Sequence, residues 1–143
     1  MLIYLALCCY NRPFDPQSSL TVLFETDAKL RIQELIKLRE VNLVWSFMLD
    51  YENEDNPNED NRDKIAEWED LAQIDCDYSE PVVKKTQELM TLGLKSKDAA
   101  HVACTIMSGV DYFITTDKGG LNKPITDITV INPIDFIRRY ENA

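Results

Sequence analysis

Short apolar runs alternate along this chain with longer stretches in which apolar residues recur every three or four positions. Leu2-Ile3-Tyr4-Leu5 is an apolar run of the kind a buried strand makes, and Asn11-Arg12-Pro13 marks a turn after it. From Ser19 to Glu40, Leu20, Leu23, Phe24, Leu30, Leu35, Ile36 and Leu38 follow helical spacing, with Ser18 or Ser19 as the N-cap. Leu43-Val44-Trp45 predicts a second strand, and Ser46 opens a helical stretch through Met48, Leu49 and Glu52. No apolar period crosses residues 50–63, where Asn, Asp and Glu surround Pro57; this patch predicts a loop or a junction between helices.

A helix with Ile65, Trp68, Leu71 and Ala72 on one face follows, then a short strand at Ile74-Asp75-Cys76. Ser79-Glu80-Pro81 starts another helix, with Pro in its first turn, and Gly93 is the residue that ends it. Ser96 is the expected cap of a helix carrying Ala99, Ala100, Val102, Ala103 and Ile106 and ending at Gly109. Tyr112–Thr115 and Ile128–Ile131 predict two more strands, and Asn132-Pro133 starts a last helix through Phe136, Ile137 and Tyr140. There is no internal repeat. Strands separated by helices imply βαβ units, so the expected fold is a single α/β domain over residues 1–143. It is a three-layer α/β/α sandwich around a mostly parallel central sheet of four to five strands. Ligands of such sheets bind at the carboxyl ends of the strands. The residues after Leu5, Trp45 and Ile114 are therefore the ones to inspect.

Composition agrees with one globular domain: 143 residues, 45% hydrophobic and 28% charged. No apolar run approaches the roughly 18–20 residues of a membrane helix. Met1–Cys9 is apolar but lacks a basic flank and runs into Asn11-Arg12-Pro13, so no secretory leader and a cytoplasmic location are expected. The 25 Asp and Glu against 15 Lys and Arg give a net charge of −10, which disfavours a broad basic nucleic-acid surface. A local site that uses a metal ion as its positive charge stays open. Cys8, Cys9, Cys76 and Cys104 include no C-x-x-C pair, and the chain has one His, so the thiols read as reduced and structural rather than as a zinc site.

Three acids lie where the sheet rule points. Asp117 follows the strand Tyr112–Thr115, Asp98 lies in the first turn of the helix after Ser96, and Glu52 sits about two turns past the Trp45 strand. Singly, each reads as a surface acid, and Asp98 complements a helix dipole. Crowded at one cleft they would repel unless a cation neutralised them, and hard oxygen donors suit Mg²⁺ or Mn²⁺, which also bind phosphate.

In order, the short first strand leading into Cys8-Cys9-Tyr10-Asn11-Arg12-Pro13, then Ser46…Glu52, then Lys97-Asp98-Ala99-Ala100-His101, and finally Ile114-Thr115-Thr116-Asp117-Lys118-Gly119 resemble the PIN domain, the fold of many prokaryotic ribonuclease toxins of the VapC type. The resemblance covers Leu2 to Ile137, and its specific parts are Asp-Ala-Ala-His, Thr-Thr-Asp-Lys-Gly and Ile131-Asn132-Pro133. It implies a metal-dependent endoribonuclease with RNA as substrate, Mg²⁺ or Mn²⁺ as cofactor and the role of toxin beside an antitoxin protein. It assigns Glu52, Asp98 and Asp117 the catalytic, metal-holding role. The chain departs from the family pattern where an Asp should end the first strand: Ala6 stands there, followed by Leu7. Ala ligates nothing, so activity is expected to be weakened or lost. A degenerate member retained for binding, an inactivated version of an active enzyme, and substitution by Asp15 or another nearby acid all stay open.

Arg12, Thr115, Thr116, Lys118 and Asn122 are candidate substrate contacts, with Lys123 beside them. His101 reads first as a packed helix residue and second as an acid/base. Trp45 and Trp68 read as core, and the acidic patch reads as a solvated face or a dock for a basic partner. Self-association as a homodimer suits a domain of this size, although no feature fixes its symmetry. Competing with the nuclease are a PIN-like domain that binds RNA or a protein without cleaving and, more distantly, a phosphatase or nucleotide switch. The last lacks a Gly-rich phosphate loop.

Overall fold

Residues 1–117 and 127–142 are described by a computed structural model. The five apolar runs become five parallel strands: β1 (Leu2–Leu5), β2 (Asn42–Ser46), β3 (Ile74–Cys76), β4 (Tyr112–Ile114) and β5 (Thr129–Ile131). They lie in the order β3-β2-β1-β4-β5, with Ile3 opposite Leu43 on one side and Tyr112 on the other. The three central strands are covered on both faces, which is why they read as unbroken apolar runs. Ile3, Tyr4, Leu5, Leu43, Val44, Trp45 and Ile114 are all fully buried. Each such side chain contributes about 1.5–3 kcal/mol on leaving water.

The described helices are α1 (Leu7–Asn11), α2 (Leu20–Lys37), α3 (Phe47–Glu54), α4 (Glu59–Ala66), α5 (Glu80–Thr91), α6 (Ser96–Met107) and α7 (Pro133–Glu141), with short 3-10 turns at Arg12–Phe14 and Glu67–Leu71. α2 packs on α7 and α5 packs on α6. The sheet flanked by helices is the expected three-layer α/β sandwich. No described helix is long and apolar enough to cross a membrane.

Most element boundaries follow the caps read from sequence. Ser19, Ser46, Ser79 and Asn132 each accept a hydrogen bond from a backbone N–H in the first turn of the helix that follows. Gly93 takes a φ of 101°, the left-handed geometry that ends α5 without steric cost. Four details differ. The helix expected to carry Ile65, Trp68, Leu71 and Ala72 ends at Ala66 as α4, and Trp68 and Leu71 follow in the 3-10 turn Glu67–Leu71. Lys95, not Ser96, is the cap of α6, and it makes no side-chain cap bond. α1 was not expected, because five residues cannot display a helical period. α4 begins inside the polar patch, where Asn58 accepts from the Asn61 N–H at 3.0 Å and Glu59 and Asp60 favour the helix N-terminus.

Candidate functional site

The chain lays β1, β2 and β3 outward in one direction, then returns to place β4 and β5 on the other side of β1. A crevice at the carboxyl ends of β1 and β4 results from this switch. A pit of about 170 Å³ lies there, and Ala6, Cys8, Glu52, Asp98, His101, Thr115 and Asp117 line it over an apolar wall of Leu94, Val102, Phe113 and Val130. Ala6 follows β1, Glu52 comes from α3 after β2, Asp98 and His101 come from the start of α6, and Thr115 and Asp117 follow β4. One pit thus gathers the three acids that the sequence singled out.

Glu52 and His101 are the most tightly held of these groups. The buried His101 hydrogen-bonds Glu52 through Nε2 and the Tyr4 hydroxyl through Nδ1, the latter at 2.5 Å. Tyr4 also bonds the Ser46 hydroxyl at 2.7 Å, and Ser46 caps α3. Partial burial acts to raise the Glu52 carboxyl, but the hydrogen bond and charge of His101, with Lys97, outweigh it and leave the group below its ordinary range. An ionised Glu52 accepts, so Nε2 carries the proton in this bond. The row Ser46–Tyr4–His101–Glu52 ties β1, β2, α3 and α6 together under the pit. Tyr4→Phe removes the shared hydroxyl and is expected to destabilise the fold by about 1–2 kcal/mol, read as a lower urea midpoint with an unchanged slope. An unchanged midpoint would show that Ser46 and His101 find other partners.

Thr115 is buried, and its hydroxyl accepts from the Asp117 N–H at 3.1 Å, so it fixes the turn that brings Asp117 to the pit. The Thr116 N–H points instead at the Cys8 sulfur, 3.4 Å away, and Thr115 Oγ1 lies 3.4 Å from the same atom. The hydrogen bond with Cys9 leads in lowering the Cys8 thiol to about 5, against burial and with help from Thr115 and Thr116. The expectation of four unpaired thiols holds, and the structure adds that half-buried Cys8 lines the pit, whereas Cys9 and Cys104 are buried. Only its nearness to the first strand's end hinted at that.

The other candidates are placed apart. The Arg12 guanidinium is occupied by Glu25, at 2.9–3.0 Å, and by Asp15, at 2.9 Å; it does not line the pit. Asp15, bound to Arg12, does not take the place of an acid at position 6. Lys118, Asn122 and Lys123 lie outside the described residues. The polar patch contributes Asn56, Asn58 and Asn61 to a second depression that shares Leu7 and Glu52 with the pit.

Mg²⁺ or Mn²⁺ demands oxygen donors about 2.1 Å from one point. The donor chemistry of Glu52, Asp98 and Asp117 is suitable, but their arrangement is not. Among the described residues no three Asp, Glu, His or Cys side chains are grouped to hold an ion. Glu52 is already bonded to His101, and position 6 offers a methyl group. As they stand, these residues do not fit a divalent ion.

No protein-family model matches the chain, and no curated protein matches it significantly. Among solved structures it resembles the crystal structure of VapBC2 from Rickettsia felis bound to a DNA fragment from their promoter. The TM-score is 0.60 at 16% identity, over 92% of this chain and 98% of that one. Five parallel strands in this order, the flanking helices and that likeness give the chain the PIN-like fold of its VapC neighbour.

Proposed function

We propose that the pit is a weakened cleavage centre of the PIN endoribonuclease type, with Glu52, Asp98 and Asp117 as its acids and Ala6 as the missing one. The observation that carries this reading is the meeting of three carboxylates from three elements in one pit at the sheet's switch point, directly above Ala6. RNA is the substrate, and Mg²⁺ or Mn²⁺ is the ion that a completed acid set would take. Likeness to a VapBC assembly supports an antitoxin-type protein partner for this chain within the same proposal. A second reading, a PIN-like domain that binds RNA or a protein without cutting, is favoured by the methyl at position 6 and by the engagement of Glu52 with His101.

Ala6→Asp separates the two. Loss of even a group that only orients a metal ligand costs roughly 10–100-fold in affinity or activity, so restoring a ligating acid should recover at least a comparable factor. The variant is expected to bind Mn²⁺ and to cleave structured RNA at least about tenfold better than the wild-type chain. If neither version binds Mn²⁺ or cleaves while both retain RNA, the binding reading holds. If neither binds RNA, the nuclease reading and the RNA-binding form of the second reading both fail.

A further inference from the structure

On the face where α2 meets α4 and the Glu67–Leu71 turn, three lysines converge on one groove of about 360 Å³. The Lys29 ammonium stands 5.4 Å from the Tyr10 ring centre and 5.5 Å from that of Trp68; the Lys37 ammonium is 5.5 Å from the same Trp68 ring, and Lys64 is 6.0 Å from Phe14. Among the described residues none of these three ammonium groups has a carboxylate within 4.0 Å or donates a hydrogen bond to a neutral acceptor in its place. Glu67 stands exposed on the rim without pairing with them. Such a cluster is unexpected on a chain with a net charge of −10.

Lys29 is the anomaly, because only 2% of it is exposed. A buried cation without a counter-ion is destabilising, and ring faces offset only part of the lost hydration. Burial, followed by the field of Lys37, lowers this ammonium to about 8, against the opposing pull of Cys9. A second, separate deficit lies in the same groove. Tyr10 is fully buried, and its hydroxyl has no hydrogen-bond partner. An unpaired ammonium over the Tyr10 ring and an unsatisfied hydroxyl on that same groove-lining residue describe a site whose acceptor is an outside ligand.

We propose that this groove binds a phosphate dianion. The Lys29 and Lys37 ammonium groups both lie 5.5 Å from the centre of one indole, so the two charges of a dianion match the pair, whereas a monoanion leaves one uncompensated. The groove offers point charges from lysine and no arginine fork, the preferred partner of a planar carboxylate. Tyr10 is fully buried and two lysine ammonium groups stand against the Trp68 ring, so the recognised group is the phosphate itself rather than a stacked base. Inorganic phosphate and a phosphate monoester share this chemistry. The site lies on different elements from the pit and does not depend on the nuclease reading.

Calorimetric titration of the whole chain with inorganic phosphate, and separately with uridine 5′-monophosphate, tests it against sodium chloride at matched ionic strength. One equivalent of phosphate is expected to bind, with Trp68 emission changing in step. Lys29→Met and Lys37→Met should each weaken binding roughly tenfold or more. Lys37→Met keeps the test independent of any effect on the core. Tighter binding of the nucleotide would assign a monoester as the ligand, and equal binding would assign free phosphate. The proposal is overturned if chloride reproduces the effect, or if both variants keep wild-type affinity.

Discussion

Glu25→Ala is expected to lower stability by about 3–5 kcal/mol, although Glu25 touches no part of the pit. Its side chain is only 3% exposed and holds two groups at once: the Arg12 guanidinium on Oε1 and the Asn132 amide, 2.7 Å away, on Oε2. Asn132 caps α7, and Arg12 belongs to the turn after α1, so one carboxylate on α2 joins three segments. Removing it leaves a half-buried guanidinium with Asp15 alone and an amide donor with no acceptor. Breaking one partner of a buried pair costs far more than the pair contributes, because the remaining charge keeps its desolvation penalty. Arg12→Ala should therefore cost a comparable amount by stranding Glu25, and the double variant should cost clearly less than the two losses added. Urea unfolding of the four proteins measures this. A Glu25→Ala loss below about 1 kcal/mol, the scale of an exposed pair, would show that water reaches the pair and that Arg12 is available to a ligand.

Arg12 also marks the boundary of what the sequence makes legible. Its position just past the first strand suggested a phosphate contact, whereas the residue that claims it, Glu25, is thirteen positions away on a helix face that reads as ordinary. Strands were readable because burial on both faces leaves an unbroken apolar run, and helix starts because Ser19, Ser46, Ser79 and Asn132 advertise themselves. α1 and the first turn of α4 were not, since one is shorter than a period and the other is polar nearly all round. At the pit, Glu52, Asp98 and Asp117 were found from the rule that parallel sheets bind at strand ends. The support beneath them was hidden. Tyr4 reads as one more apolar strand residue, yet its hydroxyl orients His101, which in turn engages Glu52. Long-range side-chain partners leave no local signal in a sequence, and the groove lysines show the same thing, spread as they are from position 29 to position 64.

Lys29→Met should make the protein more stable at pH 7, by an amount that shrinks as pH rises. The Lys29 ammonium is at about 8 in the fold against an ordinary value of 10.5. Between those values the unfolded chain holds a proton that the folded chain has released, so stability rises with pH there; below about pH 8 the full penalty applies. At 1.36 kcal/mol per unit the penalty is on the order of 3 kcal/mol at pH 7, and losing the contacts with Tyr10 and Trp68 returns about 1 kcal/mol of it. The net gain for a methionine of similar length is then on the order of 2 kcal/mol. The wild-type curve by itself is a poor readout. Burial also pushes Cys9, Tyr4 and Tyr10 upward, which reduces stability at alkaline pH, while the hydrogen bond from Cys9 that lowers Cys8 acts the other way. The contributions of Tyr4, Tyr10 and Cys8 cancel in the difference between variant and wild type, measured by urea unfolding at pH 7, 8, 9 and 10. Cys9, which loses the pull of Lys29, rises further in the variant and narrows the gap in the same alkaline direction. The gap should be widest at pH 7 and narrow steadily above pH 8. A gap that ignores pH would mean that the lysine is hydrated in the fold. A variant less stable throughout would mean that the rings hold the ammonium more strongly than burial opposes it. A wild-type protein that closes the gap at pH 7 when phosphate is added would join the stability deficit to the ligand that relieves it.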